Sequence, residues 1–324
     1  MKLLKLTVTL LMAMAEIAIV HAETYPTRPI TMIVPFPAGG ATSILGRILA
    51  EHMKGTLGQP IVVENVGGAS GSIGTTRAAR AAADGYTLSF GNWASHVGSG
   101  AMYPLQFDLL RDLEPVAFVA NSPLWLVARN SLPPRDLKDL IAWLKENPNK
   151  ASAATVGVGS GSHMCGIYMQ NHTGTQFQFV PYRGGAPAMQ DLVAGQVDFM
   201  CDFAGNSLPN VRNGLIKAYA VMAKTRWFAA PDVPTFGEMG VAGLEMSFWH
   251  GLWVPKGTDA AIVAKLNAAA QAAFADATVR QRYVDMGQEL PPRERQTPQA
   301  LAAFHKAEIE KWWPIIKAAN LKTQ

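Results

Sequence analysis

Ile30-Thr31-Met32-Ile33-Val34-Pro35-Phe36-Pro37-Ala38-Gly39-Gly40-Ala41-Thr42-Ser43 is the stretch from which the fold can be read. Its opening apolar run reads as a buried strand. Ile44, Leu45, Ile48, Leu49 and Met53 then recur at helical spacing, so a helix over 43–57, closed by Gly58, is expected. Between the two lies a strand-to-helix turn whose paired glycines let the backbone approach another group closely. Thr42 or Ser43 is placed as the helix N-cap. Free N–H groups and the positive end of the helix dipole make such a turn a natural anion site. A single turn of this kind is as readily a plain packing connection.

The chain repeats the arrangement. Strands are expected at 30–36, 61–64 and 86–90, with helices at 43–57 and at 72–83, the latter closed by Asp84-Gly85. Short apolar strands separated by helices imply a parallel sheet built from βαβ units. A long extended run over 115–129, interrupted by Asn121-Ser122-Pro123, reads as a crossing between two domains. After Pro133-Pro134 the alternation restarts: helix 137–146, strand 152–156, helix 163–171, strand 177–181, helix 187–194, strand 197–203 and strand 216–223. The aromatic strand 246–254 reads as the return crossing. Helices capped by Thr258 and Thr278, and one opening on Thr297-Pro298, finish the chain. Two α/β lobes result, with residues 23–122 and 229–324 in lobe 1, residues 123–228 inserted as lobe 2, and a small-ligand cleft between them.

The N-terminus pairs Lys2 and Lys5 with an apolar run to Val20 and a small residue at Ala22, the pattern of a secretory signal peptide over residues 1–22. No later run is long and apolar enough to span a bilayer, so an exported, periplasmic protein is expected. Net charge is only +4 and the basic residues are scattered, which argues against a nucleic-acid partner. Cys165 and Cys201 could pair in an oxidising compartment or remain as buried thiols. No His/Cys cluster has metal-ligand spacing, and neither a metal nor a cofactor is expected.

Gly39-Gly40-Ala41 and Gly184-Gly185-Ala186 each join a strand to a helix, one per lobe, and Gly157 to His163 forms a third glycine-bearing turn. Together they suggest a two-jawed clamp for a small anion. Catalytic patterns are missing: Ser160 lies between Val158 and Ser162 at the positions where a nucleophile elbow needs glycine, and there is no P-loop. A periplasmic hydrolase using Ser162 with His163 is the competing enzymatic reading, and a ligand-binding sensory partner of a membrane kinase is a third.

Tyr25-Pro26, Ile33 through Gly40, Leu57 through Asn65, Asp84 through Leu88, Pro181 through Gly185, Ala194 through Asp198, Asp232 through Thr235 and Gly251 through Thr258, taken in order, resemble one family. It is the substrate-binding proteins of tripartite tricarboxylate transporters, the Bug-type receptors. The resemblance implies a type II periplasmic binding fold that closes as a flytrap on a small carboxylate and delivers it to an inner-membrane permease. It implies no catalysis and is compatible with a monomer. Expected ligand contacts are Phe36, Ala38, Gly39, Gly40, Thr42, Ser43 and Asn92 in lobe 1, with Ser160, Ser162, His163, Gly184, Gly185, Ala186 and Asp202 in lobe 2. Members of the family often carry Asp where this chain has Ser43. A neutral hydroxyl there favours a dicarboxylate over an amino acid. If two of Trp93, Phe203 and Trp249 faced the cleft, an aromatic acid of the phthalate type would become attractive.

Overall fold

In a computed structural model that describes residues 25–157 and 159–318, the chain forms two α/β halves on one continuous curled sheet. The leader expected over residues 1–22 lies outside the described residues. The first half contains β1 (Ile30–Val34), α1 (Ala41–Leu57), β2 (Ile61–Asn65), α2 (Ser72–Ala79), β3 (Thr87–Asn92), α3 (Ser99–Met102) and the long strand β4 (Leu113–Arg129). The second adds α4 (Leu137–Glu146), β5 (Ser152–Thr155), α5 (Gly161–Thr173), β6 (Gln178–Pro181), α6 (Gly185–Val193), β7 (Phe199–Phe203), α7 (Ala204–Arg212) and β8 (Ile216–Val221). The chain returns through β9 (Ser247–Pro255) and ends in α8 (Ala260–Ala275), α9 (Ala277–Asp285) and α10 (Pro298–Ala318). No helix among the described residues is long and apolar enough to cross a membrane.

The strand order is β2-β1-β3-β9-β4-β7-β5-β6, with β8 also paired to β4. The βαβ units make β1 parallel to β2 and to β3, as alternating strands and helices require. β9 enters antiparallel between β3 and β4. Along β4 the partner changes: Leu113 through Pro123 run beside β9, and Leu124 through Ala128 run beside β7, with β8 on the other edge. The expected interruption at Asn121-Ser122-Pro123 does not occur. The strand continues through it, because Asn121 exchanges both backbone hydrogen bonds with Glu289 and the ladder to β9 absorbs its irregularity in two register shifts.

Each half has its own apolar packing. Leu45, Leu49 and Met53 of α1 lie with Phe90, Leu252, Leu266 and Phe274 in the first, all essentially without exposure. Tyr283 ties this layer together by donating its hydroxyl to the Leu45 carbonyl at 3.1 Å. Trp125, Val127, Ala188, Leu192 and Met200 fill one face of the second half. The Arg129 guanidinium grips Asp198 at 2.8 Å, and the same carboxylate accepts from the Ser152 amide, locking β4 to β5 and β7.

Three expected caps are replaced. The first helix begins at Ala41 with Gly40 as its extended N-cap, so neither Thr42 nor Ser43 caps it. Asp259 and Asp276, not Thr258 and Thr278, accept from the first amides of α8 and α9. A carboxylate at the N-cap gains from the helix dipole as well as from the hydrogen bond.

Cys165 on α5 and Cys201 on β7 form a disulfide, with Cα atoms 6.2 Å apart and a sequence separation of 36. Both side chains are buried. Replacing both by alanine should lower stability by about 2–4 kcal/mol, the usual worth of a cross-link closing a loop of this size. Urea unfolding of the oxidised protein and of the double variant measures it, and equal midpoints would disprove it.

Candidate functional site

The exposed turn 37–41 sits at the carboxyl end of β1, where parallel sheets gather ligands. Gly39 takes φ +85°, a left-handed conformation suited to glycine, and nothing lies within 4 Å of where its Cβ would be. No side chain caps the helix that follows, leaving its first amides directed at the open turn. Ala38, Gly39 and Gly40 are all exposed there, with Phe36 half-buried behind them.

Because Gly40 takes the cap position, the next two hydroxyls are turned to other partners. Ser43 is wholly buried, and its Oγ meets the amide of Asn65, which also donates to the Phe36 carbonyl at 2.9 Å. Arg47 donates to the Asn65 oxygen from outside. Ser43 therefore fixes the turn through Asn65 and does not face solvent. Thr42 keeps 7% exposure, and its Oγ1 sits 2.9 Å from Asn92 Nδ2 and 3.1 Å from His250 Nε2. Asn92 and His250 are directly opposite each other in the β3–β9 ladder, so their side chains share one face. Burial pushes the His250 imidazole down to about 3, which leaves it neutral at physiological pH.

In the second half, Ser160 caps α5 by accepting from the His163 amide at 3.3 Å and donates to the Gly157 carbonyl at 2.7 Å. Ser162 Oγ accepts from the Val156 amide at 3.0 Å and touches Ser160 Oγ at the same distance. The His163 ring accepts from the Gly159 amide through Nδ1 and rests edge-on against Phe179. Burial holds its pKa below the ordinary histidine value. Ser162 and His163 are thus each tied to backbone amides and not to each other, so the nucleophile–base pair that a hydrolase needs is not formed. The turn through Gly184 is open, with Ala186 exposed and Asn206 Nδ2 3.2 Å from a Cβ built on Gly185. Asn206 links that turn to Asp202, donating to both carboxylate oxygens.

The two sets converge on β9. A Cβ at Gly161 would lie 3.0 Å from the Phe248 ring, and Phe248 is 6.2 Å from the His250 ring that meets Thr42. Gly159 is packed against Met102 at the end of α3, close enough that any side chain would collide with its sulfur. The floor between the turns is therefore Phe248, flanked by Phe203 at 4.1 Å and Trp93 at 6.4 Å. Trp93 and Trp249 are fully buried, with the Trp249 indole donating to Glu308, and only Phe203 has an exposed face. The condition for an aromatic ligand, two of these three rings facing the cleft, is not met. A separate hollow of about 240 Å³, bordered by Asn121, Trp227 and the same Glu308, includes none of the expected ligand contacts.

Asn65, Met102, Asn206, Phe248 and His250 escaped the sequence reading as site residues. Asn65 had a usable signal, since it closes β2 at the carboxyl edge of the sheet. His250 and Phe248 had none, because an aromatic strand reads as core until its neighbours across the ladder are known.

The tripartite tricarboxylate transporter family receptor matches residues 45–321. Among solved structures, the periplasmic binding protein BugD is 40% identical, with a TM-score of 0.80, 93% of this chain covered and 100% of that one. MatC from Rhodopseudomonas palustris, determined with bound malate, is 38% identical at a TM-score of 0.81, covering 90% of this chain and 100% of the other. A second R. palustris protein, determined with adipate, is 31% identical at 0.82, covering 92% and 99%.

Asp202 gives the site a measurable pH signature. Burial raises its carboxyl to about 6, against opposing hydrogen bonds from Ser207, Asn206 and the Phe203 backbone. A carboxyl whose folded pKa is raised contributes most below its unfolded value near 3.8 and loses that contribution as pH climbs through about 6. Relative to the native protein, Asp202→Asn should therefore gain stability between pH 4 and pH 7, by up to about 3 kcal/mol. Chemical unfolding of both proteins across that range tests this, and parallel curves would refute it.

Proposed function

Because the chain belongs to the tripartite tricarboxylate transporter receptor family, a family of substrate-binding receptors and not enzymes, we propose that it captures an aliphatic dicarboxylate between its two halves. The observation that carries this reading is the convergence of the Thr42 and Gly161 turns on Phe248 and His250 of one strand. One carboxylate docks on the uncapped start of α1, where amides and the Thr42 hydroxyl donate to it. The second meets the turn of Ser160, Ser162 and His163, with Gly184 through Ala186 and Asn206 closing over it. The malate and adipate held by two neighbours support a ligand with acids at both ends.

Residues 23–122 and 229–324 act as one lobe and 123–228 as the other, joined where β4 changes partner between Pro123 and Leu124. Ligand contacts to both favour the closed population, giving flytrap capture. Acting as a monomer in the periplasm after loss of the leader at 1–22, the receptor passes its cargo to an inner-membrane permease of the tripartite type. The buried positions of Trp93 and Trp249 argue for an aliphatic over an aromatic acid.

A melting screen with malate, adipate, citrate, phthalate and glutamate tests the reading. A linear dicarboxylate at about one hundred times its dissociation constant should add about 2.7 kcal/mol of stability, with phthalate and glutamate giving less. Stabilisation by glutamate alone, or by no acid in the set, would overturn it.

A further inference from the structure

Thr42 Oγ1 has two polar neighbours, Asn92 and His250, and the hydrogen bonds around them fix which atoms donate. Asn92 Oδ1 accepts from the Ala94 amide at 3.0 Å and the Ser95 amide at 3.4 Å, so its Nδ2 is the end turned to Thr42. That nitrogen can only donate, and one Thr42 lone pair is thereby used. His250 Nε2, at 3.1 Å, is a donor in one tautomer and an acceptor in the other.

The far side of the ring decides between them. His250 Nδ1 is buried with no partner among the described residues. The ring stacks on Phe90 at 5.8 Å and meets the edge of Phe248. A proton on Nδ1 would be an orphaned donor in an apolar slot and would also consume the Thr42 hydroxyl proton. A proton on Nε2 leaves only an unshared lone pair behind and keeps that hydroxyl proton free.

Resting on the dicarboxylate reading above, we propose that His250 is a positioning residue which, with Asn92, saturates both Thr42 lone pairs and makes its hydroxyl a dedicated donor to a ligand carboxylate oxygen. In such a site Thr42 can donate and cannot accept. A ligand placing an ammonium, amide N–H or hydroxyl proton at that point finds no acceptor there, and the unpaired donor is costly. The discrimination against amino acids, assigned in the sequence to Ser43, belongs to Thr42 and is set from beneath by His250. Burial keeps the imidazole neutral, so the donor set does not change across the physiological pH range.

Two measurements test this on the full-length mature protein. Nitrogen-15 imidazole spectra of the native protein, with His250 assigned by loss of its signal in His250→Leu, should show the Nε2–H tautomer unchanged from pH 5 to pH 8; an Nδ1–H signal overturns the inference whatever the ligand. Calorimetric titration with malate and adipate should show ten- to hundredfold weaker binding in Thr42→Val, the range for a hydrogen bond to a charged group. His250→Leu should weaken binding too, and the double variant should bind no worse than Thr42→Val alone. Additive losses would mean that His250 acts only as packing and would overturn the proposal. If neither acid binds the native protein, the dicarboxylate reading and the ligand half of this inference fall, while an Nε2–H signal would still support the arrangement of Thr42.

Discussion

β4 is shared by both halves of the molecule, and its hydrogen bonds set where everything else can sit. Through Pro123 it is bonded to β9, and from Leu124 it is bonded to β7 and β8. The switch happens within one uninterrupted strand, and a buried apolar cluster that joins Trp93, Phe118 and Trp312 to Leu126, Cys165 and Phe199 also runs through both halves. Arg129 and Asp198 clamp its far end, and the Asn121–Glu289 exchange supports its middle.

β9 places chemistry beside that junction. Phe248 and His250 point from the same face two residues apart, one toward the α5 turn and the other toward the start of α1. The start of α1 is uncapped because glycine, not a hydroxyl residue, occupies its N-cap. Both hydroxyls that could have satisfied the first turn are turned inward instead, Ser43 to stiffen the loop through Asn65 and Thr42 to meet β3 and β9. The helix start is thus left unsatisfied by its own side chains, the condition in which helix N-termini attract anions.

The strand and helix order was legible because Ile30 through Met53 states its periods plainly, and each glycine-bearing turn was visible as a sequence signal. Caps were not, since Thr42, Thr258 and Thr278 are all chemically competent and only backbone geometry chose Gly40, Asp259 and Asp276. The crossing was legible in place but not in continuity, because Pro123 normally ends a strand and here its missing donor sits at the change of partner. The part of the candidate site on β9 was invisible for a deeper reason. Asn92 is among the contacts expected from the sequence, but His250 lies 158 residues further on and becomes its neighbour only through the ladder that pairs them.

The place of β9 between β3 and β4 governs how the polypeptide is assembled in time. Synthesis supplies β1, α1, β2 and β3 early, but the strand that belongs beside β3 is made only when Ser247–Pro255 appears. The segments from β4 to β8, by contrast, are contiguous and can complete their sheet with local closures alone. The middle of the chain is therefore poised to finish before its beginning, while β3 waits with an unpaired edge. Since Thr42 meets its histidine only when β9 arrives, that contact waits for a strand made some two hundred residues after the turn it completes.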